Sequence, residues 1–123
     1  MFNKKLKHFK QKLANVDKAL WDLEFKREKS AQVREEIRLK RDRLVETQNH
    51  IAQQVKKDGD DASKELAKVT DDIKRFEAQI NMLDVEIYGK EPTAEDPGQQ
   101  GINHQIDSLN ELKQMVKDYI KTI

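Results

Sequence analysis

The fold of this chain is decided by residues 2–55, FNKKLKHFKQKLANVDKALWDLEFKREKSAQVREEIRLKRDRLVETQNHIAQQV, which contain neither proline nor glycine. Proline and glycine are the residues that most often end a helix, so an uninterrupted run of this length predicts one continuous helix. At about 1.5 Å per residue, such a helix would extend for about 80 Å, which is typical of a rod rather than of a compact core.

Apolar residues in the first half of this helix recur at alternating steps of four and three positions. An average step of 3.5 residues keeps them on one face, as in the a and d positions of a coiled coil. This seam consists of Phe2, Leu6, Phe9, Leu13, Val16, Leu20 and Leu23. Its next two positions are Arg27 and Ser30, and a shifted pattern then contains Val33, Ile37, Leu44, Ile51 and Val55. The shift predicts either a local overwinding of the coiled coil or a change of neighbouring helix.

A second helix, predicted over about residues 60–88, carries the most regular seam of the chain. The sequence KKDGDD before it is typical of one helix end followed at once by a new helix, with Gly59 as the cap and Asp58 or Asp60 as the N-cap. The seam consists of Ala62, Leu66, Val69, Ile73, Phe76, Ile80, Leu83 and Ile87. Because the turn is short, we expect an antiparallel coiled-coil hairpin with helix 1 (about 2–57), in which helix 2 covers only the distal half of helix 1.

Residues 89–101 contain both prolines and three of the four glycines, so they predict a linker before a third helix at about 102–123. Two assemblies fit this third helix: it continues along the proximal half of helix 1, or it folds back on the hairpin as a three-helix bundle. Matching lengths favour the first, which would also place Ile102 near Trp21 and Phe25. We therefore predict one elongated all-α domain over residues 1–123.

Several large apolar residues lie outside the main seams. Trp21 and Phe25 are four positions apart and form a second stripe, about 100–140° around the helix from Leu20. Leu112, Met115 and Tyr119 widen the apolar face of helix 3 to about half of its circumference. A two-helix rod buries each helix on one side only, so we predict a homodimer or a larger oligomer. The candidate interface residues are Phe2, Leu6, Phe9, Leu13, Trp21, Phe25, Leu112, Met115 and Tyr119.

The formal net charge of +1 conceals a marked asymmetry along the chain. Residues 1–57 hold 16 Lys/Arg against 8 Asp/Glu, whereas residues 58–96 hold 5 against 12. This division predicts that a basic helix pairs with an acidic one.

The first residues of helix 1 form a basic amphipathic segment, over about 2–13, with no acidic residue before Asp17. Such a segment is suited to an anionic membrane surface or to nucleic-acid phosphates. The alternative is that its apolar side is buried in the bundle and its lysines are the solvated side. The candidate anion-contacting residues are Lys4, Lys5, Lys7, Lys10 and Lys12.

No motif for catalysis, metal binding or cofactor binding stands out. The chain has no cysteine, and His8, His50 and His104 are not at metal-ligand spacing. No secretory signal and no apolar run of about 20 residues is present, so we expect a cytoplasmic protein. These features favour a non-enzymatic structural or adaptor coiled coil that binds itself and other proteins, with no small-molecule substrate, metal or cofactor. The alternative function is membrane-surface or nucleic-acid binding through residues 2–13.

Overall fold

The computed structural model of the protein describes residues 2–58 and 60–123, and the side chains of residues 4–57 and 61–123. Helix α1 spans Phe2–Asp58, helix α2 spans Asp60–Tyr88 and helix α3 spans Ile102–Thr122. The predicted all-α fold, with a long first helix that packs against the second, is confirmed. The predicted cap at Gly59 and the side chains of Asp58 and Asp60 lie outside the described residues.

The chain forms two compact units, which share α1 and α2. Unit 1 comprises Met1–Ser30 and Val85–Ile123, and unit 2 comprises Ala31–Asp84. The shift in the apolar pattern of α1 falls at this boundary. Of the two interpretations of the shift, the change of neighbouring helix agrees with the cores, since α1 packs against α3 in unit 1 and against α2 in unit 2.

The core of unit 2 is formed by the seams of α1 and α2. One cluster of its buried residues contains Ile51, Val69 and Ile73, with Leu44, Val45, Val55 and Leu66 packed against them. Every member of the α2 seam is buried or half-buried, as its unbroken spacing predicted. The α1 pattern is less regular, because Val33, predicted in the seam, has 45% of its surface exposed.

The charges of unit 2 are neutralised both between and within helices. Arg34 of α1 forms a bidentate ion pair with Asp84 of α2, at 2.5 and 3.3 Å. Arg38 instead pairs with Glu35 and Asp42 of its own helix. Its guanidinium holds the pKa of Glu35 below the ordinary value. The predicted pairing of a basic with an acidic helix therefore accounts for only part of the ion pairing in this unit.

The segment predicted as a linker folds into a closed hairpin. Strands β1 (Gly89–Lys90) and β2 (Gln99–Gln100) pair antiparallel, with Gly89 opposite Gln100. The turn between them is organised by Asp96: its Oδ1 accepts from the Gly98 amide at 2.9 Å, and its Oδ2 accepts from Lys90 Nζ at 2.7 Å. These hydrogen bonds, that from Lys90 above all, lower the pKa of Asp96 from its ordinary value.

Glycine is required where the hairpin meets the helices. Gly89 has a φ of +86°, and Gly101, the N-cap residue of α3, is buried against the backbone of the end of α2. A side-chain carbon at Gly101 would lie 2.5 Å from the Ile87 carbonyl oxygen and closer still to the Gly89 nitrogen. This close backbone contact fixes the first residue of α3 against the last turn of α2.

Candidate interaction surface

The face of α1 that packs against α3 determines which residues of unit 1 remain exposed. Val16 and Leu20 of α1 and Ile102 and Ile106 of α3 are buried together. Further along the contact, Asp17 Oδ1 lies 2.6 Å from Lys113 Nζ. Helix α3 therefore lies antiparallel along the proximal half of α1, which is the first of the two predicted assemblies.

The two polar positions of the α1 seam have a structural explanation that the sequence did not reveal. Arg27 NH1 donates to Asn103 Oδ1 of α3 at 3.0 Å, and Ser30 is buried, with 9% of its surface exposed. The Arg27 hydrogen bond thus reaches the first turn of α3, while Ser30, three residues further along α1, is small enough to be buried. Asn103 was not predicted to take part in packing, because a single polar residue near a helix start has no periodic signal.

Trp21 and Phe25 form an exposed aromatic pair on α1, which we call the aromatic ridge. Their rings stack with centroids 5.8 Å apart and an interplanar angle of 13°. Trp21 has 65% of its surface exposed and Phe25 has 49%. One turn further along, Lys29 Nζ lies 5.0 Å from the centre of the Phe25 ring, a cation–π contact. The two stacked rings and the Lys29 ammonium group thus form one continuous exposed surface.

The predicted position of Ile102 near Trp21 and Phe25 does not cover these aromatics, since both stay exposed. Ile102 packs against Val16 and Leu20 instead, on the main seam. Helix geometry places Trp21 about 100° around α1 from Leu20, so a helix seated on the seam leaves the ridge uncovered. The residues predicted to form an interface are therefore divided between the core and the surface.

The remaining candidate interface residues show this division. Leu6, Phe9, Leu13 and Leu112 are half-buried, whereas Met115 has 68% of its surface exposed and Tyr119 has 49%. The Tyr119 ring packs against Phe9, with centroids 4.7 Å apart. Met115 lies about 100° around α3 from the buried Val116, at the edge of the apolar face. The side chain of Phe2 lies outside the described residues.

Two further exposed apolar residues lie on α2 and were not predicted as interface residues. Met82 has 73% of its surface exposed and Tyr88 has 69%. Both lie outside the regular α2 seam, and this departure from its spacing was the available sequence signal. Neither has an aromatic stacking partner among the described residues, so they do not form a ridge like that of Trp21 and Phe25.

The candidate anion-contacting lysines all lie on the exposed side of α1. Lys4, Lys5, Lys7, Lys10 and Lys12 are exposed, while Leu6, Phe9 and Leu13 between them are half-buried. Because Phe9 packs against Tyr119, α3 covers part of the apolar side of this segment. The lysines thus form an exposed basic surface, while the apolar face of the same segment is partly buried.

The described residues contain no cluster suited to metal chemistry. No group of three His, Cys, Asp or Glu side chains among them could hold a metal ion. His8, His50 and His104 are all exposed. Within the same part of the chain, no helix combines the length and the apolar character needed to cross a bilayer.

No protein-family model, no curated protein and no solved structure matches this chain. The function must therefore be inferred from its own surfaces. The aromatic ridge is the most distinctive of these surfaces, because it places two large rings together in solvent.

Proposed function

We propose that this chain is a non-enzymatic helical adaptor that binds a partner helix through the aromatic ridge. The observation that carries the proposal is the exposure of Trp21 and Phe25 as a stacked pair. Single exposed apolar residues are common on protein surfaces, but adjoining large ones favour an interaction site. Tryptophan is also among the residues that contribute most to binding energy when an interface covers them.

The geometry of the ridge suits a helical partner. Two anchors four residues apart project from one side of α1 and can enter the groove between side chains of a second helix. The rings lie on a long continuous helix and are stacked on each other, so little side-chain entropy remains to be lost on binding. Burying the exposed part of each ring would contribute about 1–2 kcal/mol from apolar area alone.

Site-specific photocrosslinking in cells tests this proposal directly. A photoreactive amino acid replaces Phe25 in one variant and Gln53, an exposed polar position of the same helix, in the control. We expect discrete protein adducts from position 25, which disappear when Trp21→Ala is added, and none of these adducts from position 53. Adducts that are the same at both positions, or that are unaffected by Trp21→Ala, would contradict the proposal.

A second candidate function is binding of anionic phosphates through the N-terminal lysines. The observation that favours it is the exposure of all five lysines on one segment without an acidic residue before Asp17. Phosphate binding should weaken steeply as salt is raised, whereas packing of helices should change little. We expect replacement of the five lysines by glutamine to abolish any retention on anionic vesicles or single-stranded DNA. Retention that survives both high salt and this replacement would exclude the lysines as its cause.

A further inference from the structure

The aromatic ridge belongs to a second heptad-spaced stripe on α1. Its exposed members, at steps of four and three, are Ala14, Lys18, Trp21, Phe25 and Glu28. An average step of 3.5 residues keeps this stripe on one side of the helix, as a coiled-coil seam requires. The stripe therefore has the spacing to pair with another helix along its length.

The stripe is complementary to itself when its direction is reversed. Consider two antiparallel copies of α1 related by a two-fold axis at the level of residue 23. Each residue of the stripe then faces the stripe residue that is equally far from position 23 in the other copy. Trp21 then faces Phe25, and Lys18 faces Glu28. These facing pairs of the stripe are either aromatic with aromatic or acidic with basic. A two-fold interface of this kind is closed, because each copy contributes the same surface.

We propose that the partner of the aromatic ridge is α1 of a second copy of this chain, antiparallel and centred on Leu23. This inference rests on the proposed function and names the helix that the ridge binds. A parallel pairing in register is disfavoured, since Lys18 would face Lys18 and Glu28 would face Glu28. Like charges that face each other across a helix pair are destabilising, and complementary ones determine orientation.

The extent of the contact predicts a weak, reversible dimer. Residues 14–29 span about 24 Å of helix, and each copy contributes two large rings that are only partly exposed. Such a contact buries less than the roughly 1,200–2,000 Å² of stable protein complexes. We therefore expect a dissociation constant on the order of 10 μM, and the dimer to be populated only at high protein concentration.

Charge reversal tests the antiparallel register by sedimentation equilibrium. Lys18→Glu places two carboxylates opposite each other at both ends of the dimer, and Glu28→Lys places two ammonium groups there. Each single change should weaken the dimer at least fivefold, and the double variant Lys18→Glu/Glu28→Lys should recover it to within twofold of the unmodified chain. Lys40→Glu is the matched control, since Lys40 is an exposed lysine of α1 outside the stripe. A double variant that binds no more tightly than the single variants would overturn the register.

Cysteine crosslinking gives an independent test, because the chain contains no cysteine of its own. A mixture of Lys18→Cys and Glu28→Cys chains should form a disulfide-linked dimer under mild oxidation. Either variant alone should form little, because the two equivalent positions would be about 15 Å apart along the axis. Crosslinking of Lys18→Cys with itself, but not in the mixture, would overturn the antiparallel arrangement.

A third variant separates failure of this inference from failure of the proposed function. Trp21→Ala should raise the dimer dissociation constant more than tenfold while circular dichroism shows unchanged helicity. If Trp21→Ala abolishes the dimer but charge reversal has no effect, the register is wrong and the ridge remains a docking site. If the unmodified chain is monomeric throughout, the second copy is not the partner, and the photocrosslinking experiment alone decides the proposed function.

Discussion

The two units of this molecule use the same helix in different ways. In unit 2, α1 pairs with the regular seam of α2, and its arginines form ion pairs both along and across the helices. In unit 1, α1 buries Val16 and Leu20 against α3 and still presents Trp21 and Phe25 to solvent. Among the described residues of unit 2, the large apolar side chains that are exposed, such as Leu39 and Met82, are not aromatic and form no ring stack. The difference shows that a heptad seam is buried in each unit, whereas the second apolar stripe of α1 in unit 1 stays exposed and is the surface that we propose for binding.

The largest predicted effects come from the two buried seams. Ile106→Ala in unit 1 and Ile73→Ala in unit 2 remove side chains that are 5% and 6% exposed, and each should lower the free energy of unfolding by about 2–4 kcal/mol. The measurement is urea denaturation at low protein concentration.

Trp21→Ala is the control for this pair of substitutions. Because the Trp21 ring is exposed, this substitution should lower the free energy of unfolding by less than about 0.5 kcal/mol at concentrations where the chain is monomeric. A loss from Trp21→Ala as large as that from Ile106→Ala would mean that the ridge is part of the core, and the contrast between the units would fail.

The next largest predicted effect comes from a substitution at Gly89, where the β1–β2 hairpin begins. Gly89→Ala places a side chain at a φ of +86° and within 2.6 Å of the Gln99 carbonyl oxygen. We expect a loss of about 1–3 kcal/mol in thermal or urea unfolding. Ala94→Gly, at an exposed position of the same loop, should change stability by less than about 0.5 kcal/mol. Equal effects of the two substitutions would show that the hairpin does not fix the start of α3.

A double-mutant cycle compares cross-helix with same-helix ion pairs in unit 2. Arg34 and Asp84 are each about one-third exposed and bidentate, so their coupling should be about 1 kcal/mol. Arg75 and Asp72, three residues apart on α2 with Arg75 largely exposed, should couple by about 0.3 kcal/mol. The order of the two coupling energies decides the test. A stronger coupling between Arg75 and Asp72 would show that ion pairing between α1 and α2 does not help to hold these two helices together.

The smallest predicted effect is a pH dependence in the hairpin. Lys90 lowers the pKa of Asp96 below its ordinary value of 3.8, so the stabilisation is present above pH 3.8 and is lost as the pH falls through the lower folded-state pKa. NMR titration of the Gly98 amide should report this midpoint. Lys90→Gln should move it back toward 3.8, because the Lys90 hydrogen bond is the largest cause of the shift. A midpoint unaffected by Lys90→Gln would show that the ion pair does not close the turn in solution.

The helices were predictable from sequence because heptad spacing is a local property. The seam from Ala62 to Ile87 has no interruption, and the predicted bounds of all three helices agree with the structure within about two residues. The position of α3 was one of two open alternatives, and matching lengths favoured the correct one. The comparison was between α3, which has 21 residues, and the proximal half of α1, since an antiparallel helix of that length can lie along it from end to end.

The hairpin and the exposure of the ridge could not be predicted in the same way. The turn depends on hydrogen bonds that converge on Asp96, which leave no periodic pattern in the sequence. The exposure of Trp21 depends on which side of α3 packs against the seam of α1. The apolar face of α3 is so wide that its spacing alone does not determine that side. Sequence therefore identified Trp21 and Phe25 as unusual, and only the packing of Ile102 showed that they are uncovered.

The most direct test uses the fluorescence of Trp21, the only tryptophan in the chain. Emission and acrylamide quenching are followed as the concentration is raised from below to well above the expected dissociation constant, with Phe25→Ala as the control. We predict that the emission shifts to shorter wavelength and that quenching falls as the dimer forms, and that Phe25→Ala shows neither change. Emission that stays that of a solvated tryptophan at every concentration, while sedimentation shows a dimer, would place the interface elsewhere and contradict the account.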